Sequence, residues 1–136
     1  MPAVSSAHRQ KLSWLAVLIW TVIIFVLSAQ PSIGSNLGAW DFFLRKSAHV
    51  GEYAVLFFLI WNALKQRGKR PGLTIAIAGI AAFLYACSDE FHQHFVSGRQ
   101  GTPRDVAIDF IGIVVTGLII FRLWPKKTSR AEARGR

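Results

Sequence analysis

Acidic residues are scarce in this chain: seven Asp and Glu stand against sixteen Lys and Arg, for a formal net charge of +9 over 136 residues. Cysteine is almost absent. The single Cys87 excludes an internal disulfide and a thiolate metal cluster. Charge of either sign is thin at 17%, against about 25% in soluble domains, while 52% of residues are hydrophobic. There is no internal repeat, no low-complexity segment, and no nucleophile elbow that would make Ser47, Ser88 or Ser97 a catalytic serine. These absences argue against a soluble domain and against serine hydrolysis.

What is there is apolar and segmented. Four stretches stand out, Leu12–Leu27, Ala48–Leu64, Leu73–Cys87 and Val106–Trp124. Crossing a hydrocarbon core of about 30 Å takes about 20 helical residues, a length the first and last stretches reach. The middle two are short and run into polar residues at one end. As a set they predict an all-α fold: a polytopic membrane protein of four transmembrane helices. A signal peptide competes for the first stretch, but Leu27 is a poor residue three back from a cut at Ser28-Ala29, and a retained helix fits better. The division expected is a tail over 1–11, a membrane domain over 12–124 and a basic tail over 125–136.

The basic residues read as topology, not as a nucleic-acid surface. Arg9 and Lys11 precede the first span, Lys65, Arg67, Lys69 and Arg70 separate the second and third, and Lys126, Lys127, Arg130, Arg134 and Arg136 follow the fourth. In an up-and-down bundle all three groups fall on one side, and Lys/Arg excess marks the cytoplasmic side. Both termini are therefore expected to be cytoplasmic. Arg45, Lys46, Arg99 and Arg104 fall on the other side, mixed with acids.

In chain order, 1–10 is expected to be a polar, disordered tail, and Ser28 to Pro31 to end the first helix. A Gly/Ser/Asn-rich outer loop spans Ser32–Asp41, and the second helix starts near Phe43. Pro71-Gly72 reads as a break after a basic turn. The third helix runs from Leu73 to about Gln93, with Gly79, Ala82, Ala86, Glu90 and Gln93 on one face. The glycine and proline turn Ser97–Pro103 leads to a fourth helix from about Arg104, with Asp105, Asp109, Gly112 and Thr116 on one face and Trp124-Pro125 at its end.

The scarce acids are concentrated. Asp89 to Gly112 alone holds four of the seven. On the second helix Lys46, His49 and Tyr53 share a sector with Glu52; the third brings Asp89, Glu90 and Gln93, and the fourth Asp105 and Asp109. Three helices thus direct polar groups inward at one depth, where a charge costs up to about 2.5–3.5 kcal/mol at mid-membrane and less near the interface. Such acids pair with Lys46, Arg99 and Arg104, bind an ion, or stay partly protonated. Pairing alone would make the cluster a salt-bridge network in a non-catalytic interaction protein. Alternatively Lys46, Arg99 and Arg104, with the Gly98 and Gly101 backbone, hold a phosphate, while His49, Glu52 or Glu90 acts as acid or base. Tyr53, Asp89, Gln93, Asp105 and Asp109 complete the candidate ligand-binding set. His49-x-x-Glu52 and Asp89-x-x-His92 have the spacing of paired metal ligands. The four-ligand pattern is incomplete, so no metal ligands and no cofactor are assigned, and a metal-dependent intramembrane hydrolase is the remaining rival.

Lys46-x-x-His49-x-x-Glu52-Tyr53-x-x-Leu56 resembles the second-helix motif of the VanZ-like family. So do Ser88-Asp89-Glu90-x-x-Gln93-x-x-x-x-Gly98-Arg99, the following Asp105-Val106-x-x-Asp109-x-x-Gly112-x-x-x-x-Gly117, and Ser28-x-Gln30-Pro31. The resemblance covers about Leu12 to Ile120; His94 and Ser97 depart from it at positions that touch the loop and not the charged set. It implies a multi-pass protein of the bacterial inner (cytoplasmic) membrane acting on the cell envelope. The family takes its name from a factor giving low-level resistance to the glycopeptide teicoplanin without an altered peptidoglycan precursor. The partner this implies is a membrane lipid or lipid-linked envelope precursor, and no nucleic acid.

Overall fold

The computed structural model describes residues 5–31, 39–65, 70–99 and 101–123. Every element among them is a helix: α1 Ser6–Ser28, α2 Ala39–Lys65, α3 Pro71–Gln93 and α4 Pro103–Leu123. All four are long and apolar enough to cross a membrane. The chain is an all-α protein of the multi-pass membrane type.

The helices begin earlier than hydropathy alone predicts, and the reasons are local. The Ser5 Oγ accepts a hydrogen bond from His8 N at 3.2 Å, so a cap starts α1 inside the polar tail that was expected to be disordered. Helix α2 takes in Ala39 to Asp41 from the expected outer loop; 32–38 lie outside the described residues. Pro71 and Gly72 do not break a helix but open one, with proline in the first turn of α3 where its missing N–H costs nothing. Pro103 does the same for α4, and Asp105 N bonds back to Thr102 Oγ1 at 3.3 Å. The expected fourth-helix end at Trp124-Pro125 and the basic tail lie outside the described residues.

Helix α2 is the centre, packing on all three others, while α1 lies against α2 and touches α3 only lightly. Tyr53, Leu56, Phe57, Ile60, Ala63 and Leu64 of α2 are buried at helical spacing. Facing them are Ala78, Ala82 and Ala86 of α3, none of which is exposed, and Ile113 and Ile120 of α4. The alanine row strengthens the small-residue face read from the sequence, shifted so that Ala78 is buried and Gly79 is half-buried. Lipid tails are as apolar as leucine, so close packing and polar ties hold such helices together.

Two places show the close approach. A Cβ on Gly112 would collide with the Val50 carbonyl and lie 3.2 Å from Ala54 N, so α4 crosses α2 nearly backbone to backbone. A Cβ on Gly117 would meet the Phe57 ring at 3.3 Å. Helix α1 is held differently. It presents Leu18, Ile19, Val22, Phe25 and Val26 outward and is tied by Trp20 Nε1 to the Glu52 carbonyl at 2.9 Å and by the Tyr85 hydroxyl to the Thr21 carbonyl at 2.6 Å.

Candidate functional site

The C-terminal ends of α1 and α3 and the N-terminal parts of α2 and α4 meet at one end of the bundle. His49 and Asp109 each lie six residues inside the apolar spans that start at Phe43 and Pro103, about 9 Å along a helix at 1.5 Å per residue. Their meeting follows from Gly112. Because α4 closes on α2 at Val50, the Asp109 Oδ1 comes to 3.8 Å from His49 Nδ1. Glu52 Oε2, one turn along α2, is 3.7 Å from the same nitrogen. Asp109 is 1% exposed, Asp89 and Glu90 3%, and Asp105 and His49 8%; burial at this level makes each group's partners decisive.

Asp89 is the most heavily bonded. Its Oδ2 accepts from Ser28 Oγ at 2.7 Å, from the Tyr53 hydroxyl at 3.0 Å and from Gln93 Nε2 at 3.2 Å. Gln93 Nε2 also reaches Glu90 Oε1 at 3.4 Å. Lys46 Nζ pairs with Asp105 Oδ1 at 2.6 Å. Four of the carboxylates keep a bare oxygen: Glu52 Oε2, Asp89 Oδ1, Glu90 Oε2 and Asp109 Oδ2 are buried without a hydrogen-bond partner, and His49 Nδ1 is a buried nitrogen without one.

The expected set therefore comes together in large part. Lys46, His49, Glu52, Tyr53, Asp89, Glu90, Gln93, Asp105 and Asp109 converge from three helices. Tyr53 is fully buried and spends its hydroxyl on Asp89, which makes it a support for a carboxylate. Arg99 lies at the edge, where Nε donates to the Gln30 carbonyl at 2.9 Å and one Nη to the Leu27 carbonyl at 3.2 Å. It closes the C-terminal end of α1, as cations near terminal carbonyls do. Partial burial, and next the nearby Arg45, push its guanidinium below the usual range, while Asp89, Glu52 and Glu90 oppose that. Arg104 is exposed at the start of α4.

The Asp89–His92 pair does not form a ligand set. His92 stacks on Phe25 of α1 with ring centroids 4.5 Å apart. Ser28 is the residue missed in assembling the site, although it stands in the Ser28-x-Gln30-Pro31 motif; a polar group closing an apolar run was read as a helix stop. Ser88 donates to the Tyr85 carbonyl at 2.8 Å and is exposed.

The turn after α3 is shaped to cover the cluster. Gly98 has φ of 74°, a left-handed conformation open to glycine. A Cβ on Gly101 would strike the Glu90 carbonyl and lie 2.9 Å from Glu90 Oε2. Beside this turn a groove of about 560 Å³ runs between α3 and α4, lined by Phe83, Phe91, Val106, Ala107 and Phe110 and reaching Glu90. A second groove of about 640 Å³ shares Phe83 and Phe110 and continues along the helices past Gly79 and Gly117. A buried polar cluster one to two turns deep thus adjoins apolar grooves along α3 and α4.

Comparison with curated proteins and with solved structures finds no match. The model of the VanZ/LLP1 family matches residues 12–125, a stretch that contains all four spans apart from the first turns of α1 and both halves of the cluster. The second-, third- and fourth-helix motifs that carry the resemblance meet at one end of the bundle, and the chain belongs to the VanZ/LLP1 family.

Proposed function

We propose that this protein binds an amphiphilic, lipid-linked ligand bearing phosphate, and that it acts through that ligand on the cell envelope, as in glycopeptide tolerance of the teicoplanin type. The observation that carries the reading is the apolar groove between α3 and α4 that reaches Glu90 of the polar cluster. A ligand with a lipid chain and a polar head is the chemistry that fits both at once. The head would lie about 9 Å below the ends of the spans, and Lys46 and Arg99 supply positive charge at that end. An alternative, a purely structural salt-bridge network, fits less well: Glu52, Asp89, Glu90 and Asp109 each keep a buried oxygen without a partner, which is costly for groups whose role is to pair.

Purification of the full chain in mild detergent, followed by lipid extraction and mass spectrometry, tests this reading. A phosphate-bearing lipid enriched over the bulk membrane composition is expected. Ala107→Trp fills the groove without altering the acids or Lys46, and it should lower that enrichment at least fivefold at unchanged helicity. Bound lipid in bulk proportions, the same in both proteins, would remove the reading.

A further inference from the structure

We infer that His49, Glu90 and Asp109 form a binding site for one divalent transition-metal cation, Zn²⁺ or Mn²⁺. One side-chain ligand atom from each of the three lies within 4.8 Å of the others. They come from three different helices, so no local sequence spacing links them. The three are not merely close acids. Asp109 is 99% and Glu90 97% buried, since they are 1% and 3% exposed, and Asp109 Oδ2, Glu90 Oε2 and His49 Nδ1 have no hydrogen-bond partner.

The surrounding bonds direct these free atoms. Gln93 engages Glu90 through Oε1, which leaves Oε2 as the coordinating oxygen. Gln93 is itself held by Asp89, which also takes bonds from Ser28 and Tyr53. Such outer partners orient ligands at metal sites. The charge balance points the same way. Lys46 is engaged by Asp105 and Arg99 by two carbonyls of the α1 end, while Glu90 and Asp109 are two buried carboxylates. A doubly charged ion neutralises both. Imidazole suits zinc and carboxylate oxygen suits manganese. Bonds of about 2.0–2.2 Å bring neighbouring ligand atoms to about 3.4 Å, so from separations within 4.8 Å the site closes by up to about 1.4 Å on binding.

Three protein ligands leave positions for water or a ligand oxygen. An ion here adds to the positive charge of Lys46 and Arg99 and offsets the carboxylates' repulsion of phosphate. That bridging role rests on the ligand reading above; ion binding does not.

The test uses the full chain, its affinity tag removed, treated with EDTA and dialysed. Titration with Zn²⁺ and with Mn²⁺ by calorimetry, and metal analysis after gel filtration, should find one ion per chain and a rise in melting temperature with the metal. Asp109→Asn and Glu90→Gln should each weaken binding at least tenfold, whereas His94→Gln should leave it unchanged. Absence of saturable binding and of any thermal shift in the unmutated chain overturns the inference, and that result needs no variant to fold. Binding equal in both carboxylate variants overturns it too, because the ion then lies elsewhere. Lipid analysis of the same samples separates the two proposals. One ion without enriched lipid upholds the site and defeats the ligand reading; enriched lipid in metal-free protein upholds that reading and defeats the bridge.

Discussion

Asp89 shows how individual residues hold this cluster. Its Oδ2 takes three hydrogen bonds from three helices, the shortest from Ser28 at 2.7 Å. A buried oxygen bonded this way couples the position of α1 to that of α2 and α3. Ser28→Ala and Tyr53→Phe should each destabilise the protein by about 1–3 kcal/mol. The double variant should fall short of the sum, since both remove support from the same oxygen. Thermal unfolding in detergent measures this, and strict additivity would show that the two bonds act independently. Residue identity at the site was largely legible because charge inside an apolar chain has few innocent explanations. Partnership was not. Arg99 carries the charge expected of a ligand contact, yet its fork faces the carbonyls of Gln30 and Leu27. Nothing in its own neighbourhood of sequence announces residues about seventy positions away.

Among the elements, α2 and α4 depend most on one glycine. The Asp105, Asp109, Gly112 face of α4 could be read from periodicity, because polar and small residues recur at steps that keep to one side of a helix. What periodicity does not contain is which neighbour that face meets. The structure supplies it: Gly112 lies against the Val50 carbonyl, and this crossing sets Asp109 opposite His49. Gly112→Ala forces the two backbones apart. Overpacking of this kind costs about 1–3 kcal/mol, so the melting temperature should fall and Asp109 should withdraw from His49. Gly72→Ala is the matched control, since a Cβ there meets nothing within 4 Å. Gly72→Ala should be neutral or slightly stabilising, as at an open helical position, and equal losses in both variants would mean that the crossing does not set the cost. Helix boundaries were the less legible part. Hydropathy marks where apolar residues start, whereas α1 starts at a serine cap within polar sequence.

For the whole molecule the two ends of the bundle differ in kind. One end carries Arg9 and Lys11 of α1, Lys65 of α2, Arg70 before α3 and Arg122 of α4. The other carries the mixed cluster, with Lys46 on Asp105 and Arg99 on the end of α1. An end that is cationic, with no acid among the described residues, is what the cytoplasmic side selects for, since Lys and Arg resist translocation whereas Asp and Glu count for little. The cluster and the turn at Gly98 are therefore expected outside, and both termini inside. A reporter active only outside the cytoplasm, inserted at Gly98, should score strongly; the same reporter placed before Arg9 should be silent. The reverse pattern would turn the cluster toward the cytoplasm. It would end the envelope reading, because the head of the proposed ligand would then face the wrong leaflet. The cation site would be untouched by that result, since His49, Glu90 and Asp109 meet within the protein whichever side they face.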